Sequence, residues 1–383
     1  MKIAFLGQKG IPATYGGVER YVEELSTRLA RRGHNVLVYT RPYYSPNTEK
    51  LYKGVHIQKI PTVQAKHLDT ILHTFFSTLH LLFKKVDVIY VHSVGPALLI
   101  PVIRLLKPRA KVVSVFQCRD DLHAKWGGFA SMILRLGAWM ACKTPHATVT
   151  SSRELQAFAK NKYRVETVQI YNGVPRAKTP GSDMIQENYG LDPDSYFLVV
   201  SRLVEHKNIH RIIEDFKKIS TDKKLVIAGG SAYTNKYEEE LRELASDDDR
   251  IMLLGFVSGQ PLWQLYQNCY TYIHASQSEG MPFSVLEAMS YGRGIIASDI
   301  QEHREALGQY GTYFNLKNSH DLIDKLDYAI ANPEIMNSYG RELRERSTQL
   351  FDWDIITDEV EILFQEIISD KVDAILSEVV TRK

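Results

Sequence analysis

Short apolar runs alternate with longer stretches of helical period along almost the whole chain, and they do so in two series. In the first, residues 2–6, 36–40, 86–92, 112–116, 147–150 and 168–171 read as strands, with residues 18–32, 68–84 and 129–141 as helices between them. In the second, residues 196–201, 224–228, 251–254, 271–274, 294–297 and 311–314 read as strands. Helices over 209–218, 236–245, 261–268, 282–291 and 319–331 separate them. Such alternation specifies parallel sheets, because a parallel neighbour is reached only by a long crossover. Asn172-Gly173-Val174-Pro175 interrupts the first series, and the polar stretch 176–194, with Pro180, Gly181 and Pro193, reads as the domain boundary. A chain of 383 residues suffices for two such domains, each with its own core. The expected fold is α/β, with two doubly wound Rossmann-like domains, 1–173 and 174–351, facing a cleft. A last helix over 352–368 carries Ile355, Ile356, Val360, Leu363, Phe364 and Ile367 on one side. It is expected to return to the first domain, so that 352–383 belongs there, with 369–383 continuing the helix or fraying.

Bulk properties narrow the function classes. Apolar content of 44% and charged content of 24% suit an ordinary globular protein. A formal net charge of +2 makes no case for nucleic acid as a partner. Cys118, Cys142 and Cys269 lie far apart, which argues for a reducing, cytoplasmic compartment and against a disulfide framework or zinc site. Met1 leads directly into a strand and a glycine loop without a signal-peptide pattern. No apolar run reaches the ~18 residues of a membrane span. Residues 68–84 leave two readings open. Leu72, Phe75, Phe76, Leu79, Leu82 and Phe83, followed by Lys84-Lys85, suit a buried helix face or peripheral contact with a membrane.

One stretch carries chemistry. Glu279 and Glu287 stand eight apart in Ser278-Glu-Gly-Met-Pro-Phe-Ser-Val-Leu-Glu-Ala-Met289. Pro282 fits a first helical turn, where its missing N–H would be unpaired anyway, and Gly292 fits a left-handed stop. Glu279 then lies in the loop before the helix and Glu287 inside it, roughly 7–10 Å away by helix geometry. Backbone N–H groups at the helix start, with the positive end of its dipole, make a seat for phosphate. Gly280 lets a ligand come close to the backbone. Carboxylates accept hydrogen bonds from sugar hydroxyls, so the layout suits hydroxyls at both ends of a diphosphate, as in a nucleotide sugar. Arg202 and Lys207 follow the first strand of the second domain and supply one forked and one compact cation for such a diphosphate.

Four stretches, in this order, resemble the GT-B-fold glycosyltransferases of family 4, a retaining group. They are Gly10-Ile-Pro-Ala-Thr-Tyr-Gly-Gly-Val-Glu-Arg20, His123-Ala-Lys-Trp-Gly127, Ser201-Arg-Leu-Val-Glu-His-Lys-Asn208, and the Glu279…Glu287 stretch, which is similar to the family's E-x7-E motif. The resemblance implies that Arg202 and Lys207 hold the donor's phosphates and stabilise the leaving nucleoside diphosphate. It implies that Glu279 contacts the sugar and Glu287 the ribose hydroxyls. Arg202, Lys207 and Glu279 are therefore the catalytic candidates. Gly16, Gly17, Gly280, Met281, Pro282, Phe283, Glu287, Gly229 and Val257 are the candidates for donor binding. Met281 and Phe283 also read as packing, and Gly229 and Val257 as tight-turn residues.

On the first domain, paired Gly16-Gly17 at a helix start permit close backbone approach to an anion or a sugar. Glu19 reads as a packing or capping residue. Gln117, Asp120, His123, Lys125 and His92 are the acceptor-side candidates, although His92 also reads as a satisfied strand-end histidine. Gln117 stands where many relatives carry a histidine, and an amide cannot titrate. Ala138 replaces a glutamate common in relatives. Gly7-Gln8-Lys9-Gly10 lacks the G-x-G-x-x-G spacing, and Tyr39-Thr40-Arg41 offers no ribose-binding acid, which sets a dehydrogenase aside. Asp247-Asp248-Asp249 reads as a solvated turn, and no metal or other cofactor is expected.

The expectation is a retaining transferase that moves a hexosyl-type sugar from a nucleotide-sugar donor to a saccharide or lipid-linked acceptor, in cell-envelope or exopolysaccharide synthesis. A GT-B epimerase or phosphorylase, or a non-catalytic nucleotide-sugar binder, are the alternatives.

Overall fold

A computed structural model describes residues 1–46, 49–63, 69–117, 128–179, 181–230 and 235–369. The chain divides into two compact units, Met1–Asn172 with Trp353–Lys383, and Gly173–Asp352.

The first unit is built on eight strands: β1 (Lys2–Leu6), β2 (Asn35–Thr40), β3 (Leu51–Tyr52), β4 (Val55–Lys59), β5 (Val88–His92), β6 (Lys111–Phe116), β7 (Ala147–Thr150) and β8 (Val168–Gln169). They lie in the order β3-β4-β2-β1-β5-β6-β7-β8. All neighbours are parallel except β3 and β4, a hairpin absent from the sequence reading. Its turn, Lys53-Gly54, has φ of 47° and 85°, the two positive values that match the twist of paired strands. Central strands such as β5 are buried along their whole length, as expected of a sheet with helices on both faces.

The terminal helix Trp353–Ile368 docks on helix Gly17–Arg31 of this unit. Val360, Leu363, Phe364 and Ile367 are buried beneath it, and the Tyr90 and Phe364 rings meet edge to face at 5.2 Å. Arg32 pairs with Asp358 at 2.5 Å and Glu361 at 2.9 Å along the rim. The expected return of the chain to its first domain is thus observed. Ile355, placed on the apolar side by the sequence, is 37% exposed.

The second unit carries β9 (Tyr196–Val200), β10 (Lys224–Ala228), β11 (Ile251–Gly255), β12 (Thr271–His274), β13 (Gly294–Ser298) and β14 (Thr312–Phe314), all parallel, in the order β11-β10-β9-β12-β13-β14. The winding therefore reverses between β9 and β12. In doubly wound sheets the loops leaving two such strands diverge and open a crevice at their carboxyl ends. The polar stretch expected as a plain linker contains a helix, Asp183–Tyr189. Its single fully buried apolar anchor is Ile185, whose N–H bonds Gln264 Oε1 at 3.1 Å, and Gly190 stops it with φ of 60°. One inward residue in seven leaves no period to read. Helices Gln301–Leu307 and Pro333–Leu350 also went unread. The latter packs on β13, where Gly294 meets Met336, and an added Cβ on its Gly340 would overlap the Gly292 carbonyl in the turn before that strand.

Candidate functional site

The two loops flanking the β9/β12 reversal hold the residues that the sequence singled out. After β9 the chain runs through exposed Arg202 into a short 3-10 turn, Glu205–Lys207, and then Asn208 at φ of 51°. Asparagine tolerates that left-handed conformation, and its side chain is put to use. Asn208 Nδ2 donates to the Ala275 carbonyl at 2.8 Å, and Gln277 N donates to the His206 carbonyl at 2.9 Å. Gln277 Nε2 closes the set on Asn208 Oδ1 at 3.2 Å. The loop after β9 is thereby fastened to the loop after β12.

Across this seam Lys207 Nζ pairs with Glu279 Oε1, with side chains 11% and 13% exposed. Ser276 Oγ also donates to that oxygen, and His274 Nε2 lies 2.9 Å from it. Glu279 accepts only, so His274 Nε2 carries the proton. In a neutral ring Nδ1 is then bare, and Tyr272 OH, 3.1 Å away, faces it. The same hydroxyl lies 3.1 Å from the Val200 carbonyl at the end of β9. Burial lowers the His274 pKa, which Glu279 opposes, so the ring is neutral near pH 7. Burial alone would raise the Glu279 pKa, but Lys207 and His274 outweigh it and hold the carboxyl well below the usual range. His303 stacks edge-on to His274 at 5.1 Å, and burial lowers its pKa to about 3.

Beyond this cluster, helix Phe283–Ser290 begins one residue later than expected, with Pro282 as its N-cap at φ of −75° and ψ of 115°. Gly292, at φ of 70°, follows its C-terminus as expected. Glu287 is buried within the helix, and its Oε2 accepts from Tyr266 OH at 3.0 Å. Met281 and Pro282 are buried, whereas Gly280 and Phe283 are partly exposed. Glu302 Oε1 accepts from the Glu279 N–H at 3.3 Å.

Gly229 follows β10, and an added Cβ there would overlap the Ser201 carbonyl oxygen. The close approach that requires glycine here is therefore made by protein backbone, which sets the loop carrying Arg202. Val257, after β11, is half-buried. Asp247 pairs with Lys217, and Asp248 with Arg250 at 2.7 Å. No group of metal-ligating side chains forms among the described residues.

In the first unit the winding reverses between β1 and β5. Gly16, with φ of 102°, precedes helix Gly17–Arg31. A Cβ there would overlap the Glu19 carboxylate, which accepts the Lys9 N–H at 2.9 Å. His92, offered by the sequence as an acceptor contact, is fully buried among Phe5, Tyr21 and Tyr90 at 4.7–5.8 Å between ring centres. Its surroundings make it a core residue, and burial lowers its pKa to about 3. Gln117, at the end of β6, is half-buried, with its carbonyl accepting from Ser151 Oγ at 3.2 Å. Asp120, His123 and Lys125 lie outside the described residues. The sequence reading missed His274, Ser276, Tyr272 and Asn208. The available signal was a polar residue ending an otherwise apolar strand five positions before Glu279.

Residues 15–178 match the family described as Glycosyltransferase Family 4, and residues 183–346 match Glycosyl transferases group 1. The O-antigen chain mannosyltransferase C of Escherichia coli is 23% identical, over 94% of this chain and 96% of its own. The phosphatidylinositol N-acetylglucosaminyltransferase gpi3 subunit of Schizosaccharomyces pombe is 23% identical, over 91% of this chain and 77% of its own. The Anabaena protein HepE, solved with UDP and glucose, superposes with a TM-score of 0.79 at 19% identity, covering 96% of this chain and all of that one.

Proposed function

The chain belongs to the family-4 glycosyltransferases of GT-B fold, and we propose that it is a retaining enzyme that transfers a hexosyl-type sugar from a nucleoside diphosphate to a saccharide or lipid-linked acceptor. One observation carries this reading. Lys207 and Glu279 leave adjacent strands on the two sides of the β9/β12 reversal and meet there as an ion pair. The donor's diphosphate would lie against Arg202, Lys207 and the start of helix Phe283–Ser290, with Gly280 leaving room at the backbone. Glu279, fixed by Ser276 and His274, would accept from the sugar's hydroxyls, and Glu287 would hold the ribose. In the first unit, Gly16, Gly17 and Gln117 are the candidates for contact with the acceptor.

The step assigned is attack from the leaving-group side. The bond from the anomeric carbon to the phosphate oxygen breaks, the acceptor oxygen bonds the same face, and the acceptor's proton passes to the phosphate. Charge growing on the leaving phosphate is met by Arg202 and Lys207, so no side-chain nucleophile or metal is invoked. The relatives named for O-antigen and phosphatidylinositol transfer support a saccharide or lipid-linked acceptor, and the same proposal gives the chain a role in surface-polymer synthesis at the inner, cytoplasmic face of a membrane.

Calorimetric titration with UDP-, GDP-, ADP- and dTDP-sugars tests the donor site, with Glu287→Ala as control. One of the four should bind, and the variant should lose most of that affinity. If none binds, or the variant binds as well, the donor assignment fails. Turnover without an alcohol acceptor would indicate an epimerase or phosphorylase instead.

A further inference from the structure

We infer that one face of the first unit is a bilayer-docking surface for anionic lipid, formed by helices Asp69–Leu81, Ile100–Leu106 and Gly128–Lys143. The first of these helices is inside out. Its buried positions are His73, Thr74, Ser77, Thr78 and Leu81, while Phe75, Phe76 and Leu79 are exposed and Phe83, just beyond it, is 86% exposed. A surface helix in water presents the opposite pattern. The sequence left this stripe open between core and membrane, and the fold turns it outward.

Its neighbours repeat the feature. Leu105 is 80% exposed, with Val102 and Leu106 beside it, and Met132, Leu136 and Trp139 form an exposed stripe at spacings of four and three on the third helix. The connections β4 to β5, β5 to β6 and β6 to β7 all run the same way across the sheet. Right-handed crossovers therefore put the three helices on one face. Side chains tie their ends together. Lys107 Nζ donates to the carbonyls of Leu82 and Lys84 at 3.0 and 2.6 Å, and Arg104 donates to the Thr144 carbonyl at 2.6 Å. An apolar area spread over three joined helices exceeds the scattered exposed residues of an ordinary surface.

Charge decides what covers it. Exposed Lys84, Lys85, Arg104, Arg109, Arg135 and Lys143 border the area, whereas Asp87 is the exposed acid among the described residues of segments 69–109 and 128–143. Apolar side chains on a basic rim suit acyl chains beneath anionic head groups, and a tryptophan belongs at that boundary. The surface deepens the reading of a lipid-linked acceptor, since an enzyme held on the bilayer meets that acceptor in two dimensions. Vesicle binding is measured without donor, so it stands or falls separately from the donor site.

The test is co-sedimentation of the full chain with vesicles of phosphatidylcholine containing phosphatidylglycerol, against pure phosphatidylcholine. The wild type should bind the anionic vesicles and bind the neutral ones far more weakly. Lys84→Ala with Lys85→Ala should weaken binding by about 25-fold, at about fivefold per lysine. Phe75→Ser with Phe76→Ser should weaken it on the order of a hundredfold. Lys236→Ala with Lys317→Ala, in the other unit, should change nothing. Absence of vesicle binding would overturn the inference, as would equal binding by the aromatic variant. Concentration-dependent self-association abolished by that variant, without vesicle binding, would assign the face to a second copy of the chain instead. Circular dichroism and donor titration of each variant separate a lost surface from a lost fold.

Discussion

His92 and His274 occupy the same place in two sheets. Each is the last residue of the strand across which the winding reverses, β5 beside β1 and β12 beside β9. Their surroundings differ completely. His92 stands among three aromatic rings, and neither of its ring nitrogens has a hydrogen-bond partner among the described residues. His274 Nε2 donates to Glu279, and its Nδ1 faces the Tyr272 hydroxyl, which lies against the Val200 carbonyl at the end of β9. The same topology thus ends one strand in an aromatic core and the other in an ion-paired cluster. Fold places a crevice, and the residues at the strand ends decide its chemistry.

The ionic crevice offers the largest effect. Lys207→Ala should leave Glu279 largely buried without its cation. The cost should be about 3 kcal/mol of stability, the low end for a broken buried pair because some exposure remains, along with about 2–4 kcal/mol of transfer barrier. Arg202→Ala, at an exposed position, should lose a similar barrier while stability changes by less than about 0.5 kcal/mol. Glu279→Gln added to Lys207→Ala should restore stability without restoring turnover. Thermal unfolding and single-turnover rates read the two quantities, and equal stability of both single variants would break the contrast.

Glycines sharpen it next. Gly7→Ala forces a Cβ against the His92 carbonyl at φ of 101°, and Gly229→Ala forces one against the Ser201 carbonyl. Each should cost about 1–3 kcal/mol by strain and overpacking. Donor affinity should fall only for Gly229→Ala, whose shift moves the loop bearing Arg202. Loss of donor binding on Gly7→Ala would mean that the two crevices are not independent.

How much of this was legible depends on distance along the chain. Apart from the β3–β4 hairpin, strand positions were read nearly to the residue, because a doubly buried parallel strand is a continuous apolar run, as in Tyr196–Val200. Arg202, Lys207 and the two glutamates were read from spacing and resemblance. His274 was not, because nothing local distinguishes a strand-end histidine that meets a carboxylate from one that meets Phe5. Gly229 was singled out as a donor-side or tight-turn residue, and the structure adds its close approach to the Ser201 carbonyl, which no local pattern shows. The stripe at Phe75 and Phe76 was seen, but period alone cannot say which face a sheet takes when the opposite face is His, Thr and Ser.

Acid should affect both units in the same direction. Burial lowers the pKa of His73 to about 4 and of His92 and His303 to about 3, and that of His274 also falls. The unfolded chain takes up these protons from about pH 6.5 downward, so stability is full above that and falls as pH drops toward 3. Glu279, held low, adds stability above about pH 4.3 that is lost below it. Denaturant midpoints at pH 7, 5.5 and 4 should therefore decline in order. A midpoint unchanged from pH 7 to 5.5 would contradict neutral buried histidines.

The smallest effect separates the two histidines most cleanly. His92→Phe removes two unpartnered buried nitrogens from an aromatic setting, so stability at pH 7 should hold or rise by up to about 1 kcal/mol, with a smaller loss in acid. His274→Phe removes the donor to Glu279 and should cost about 1–2 kcal/mol of transfer barrier, with donor affinity little changed. His274→Gln keeps an N–H that reaches toward the carboxylate and should recover most of that rate. A merely space-filling His274 would give the same kcat for phenylalanine and glutamine, and would erase the difference between the two strand ends.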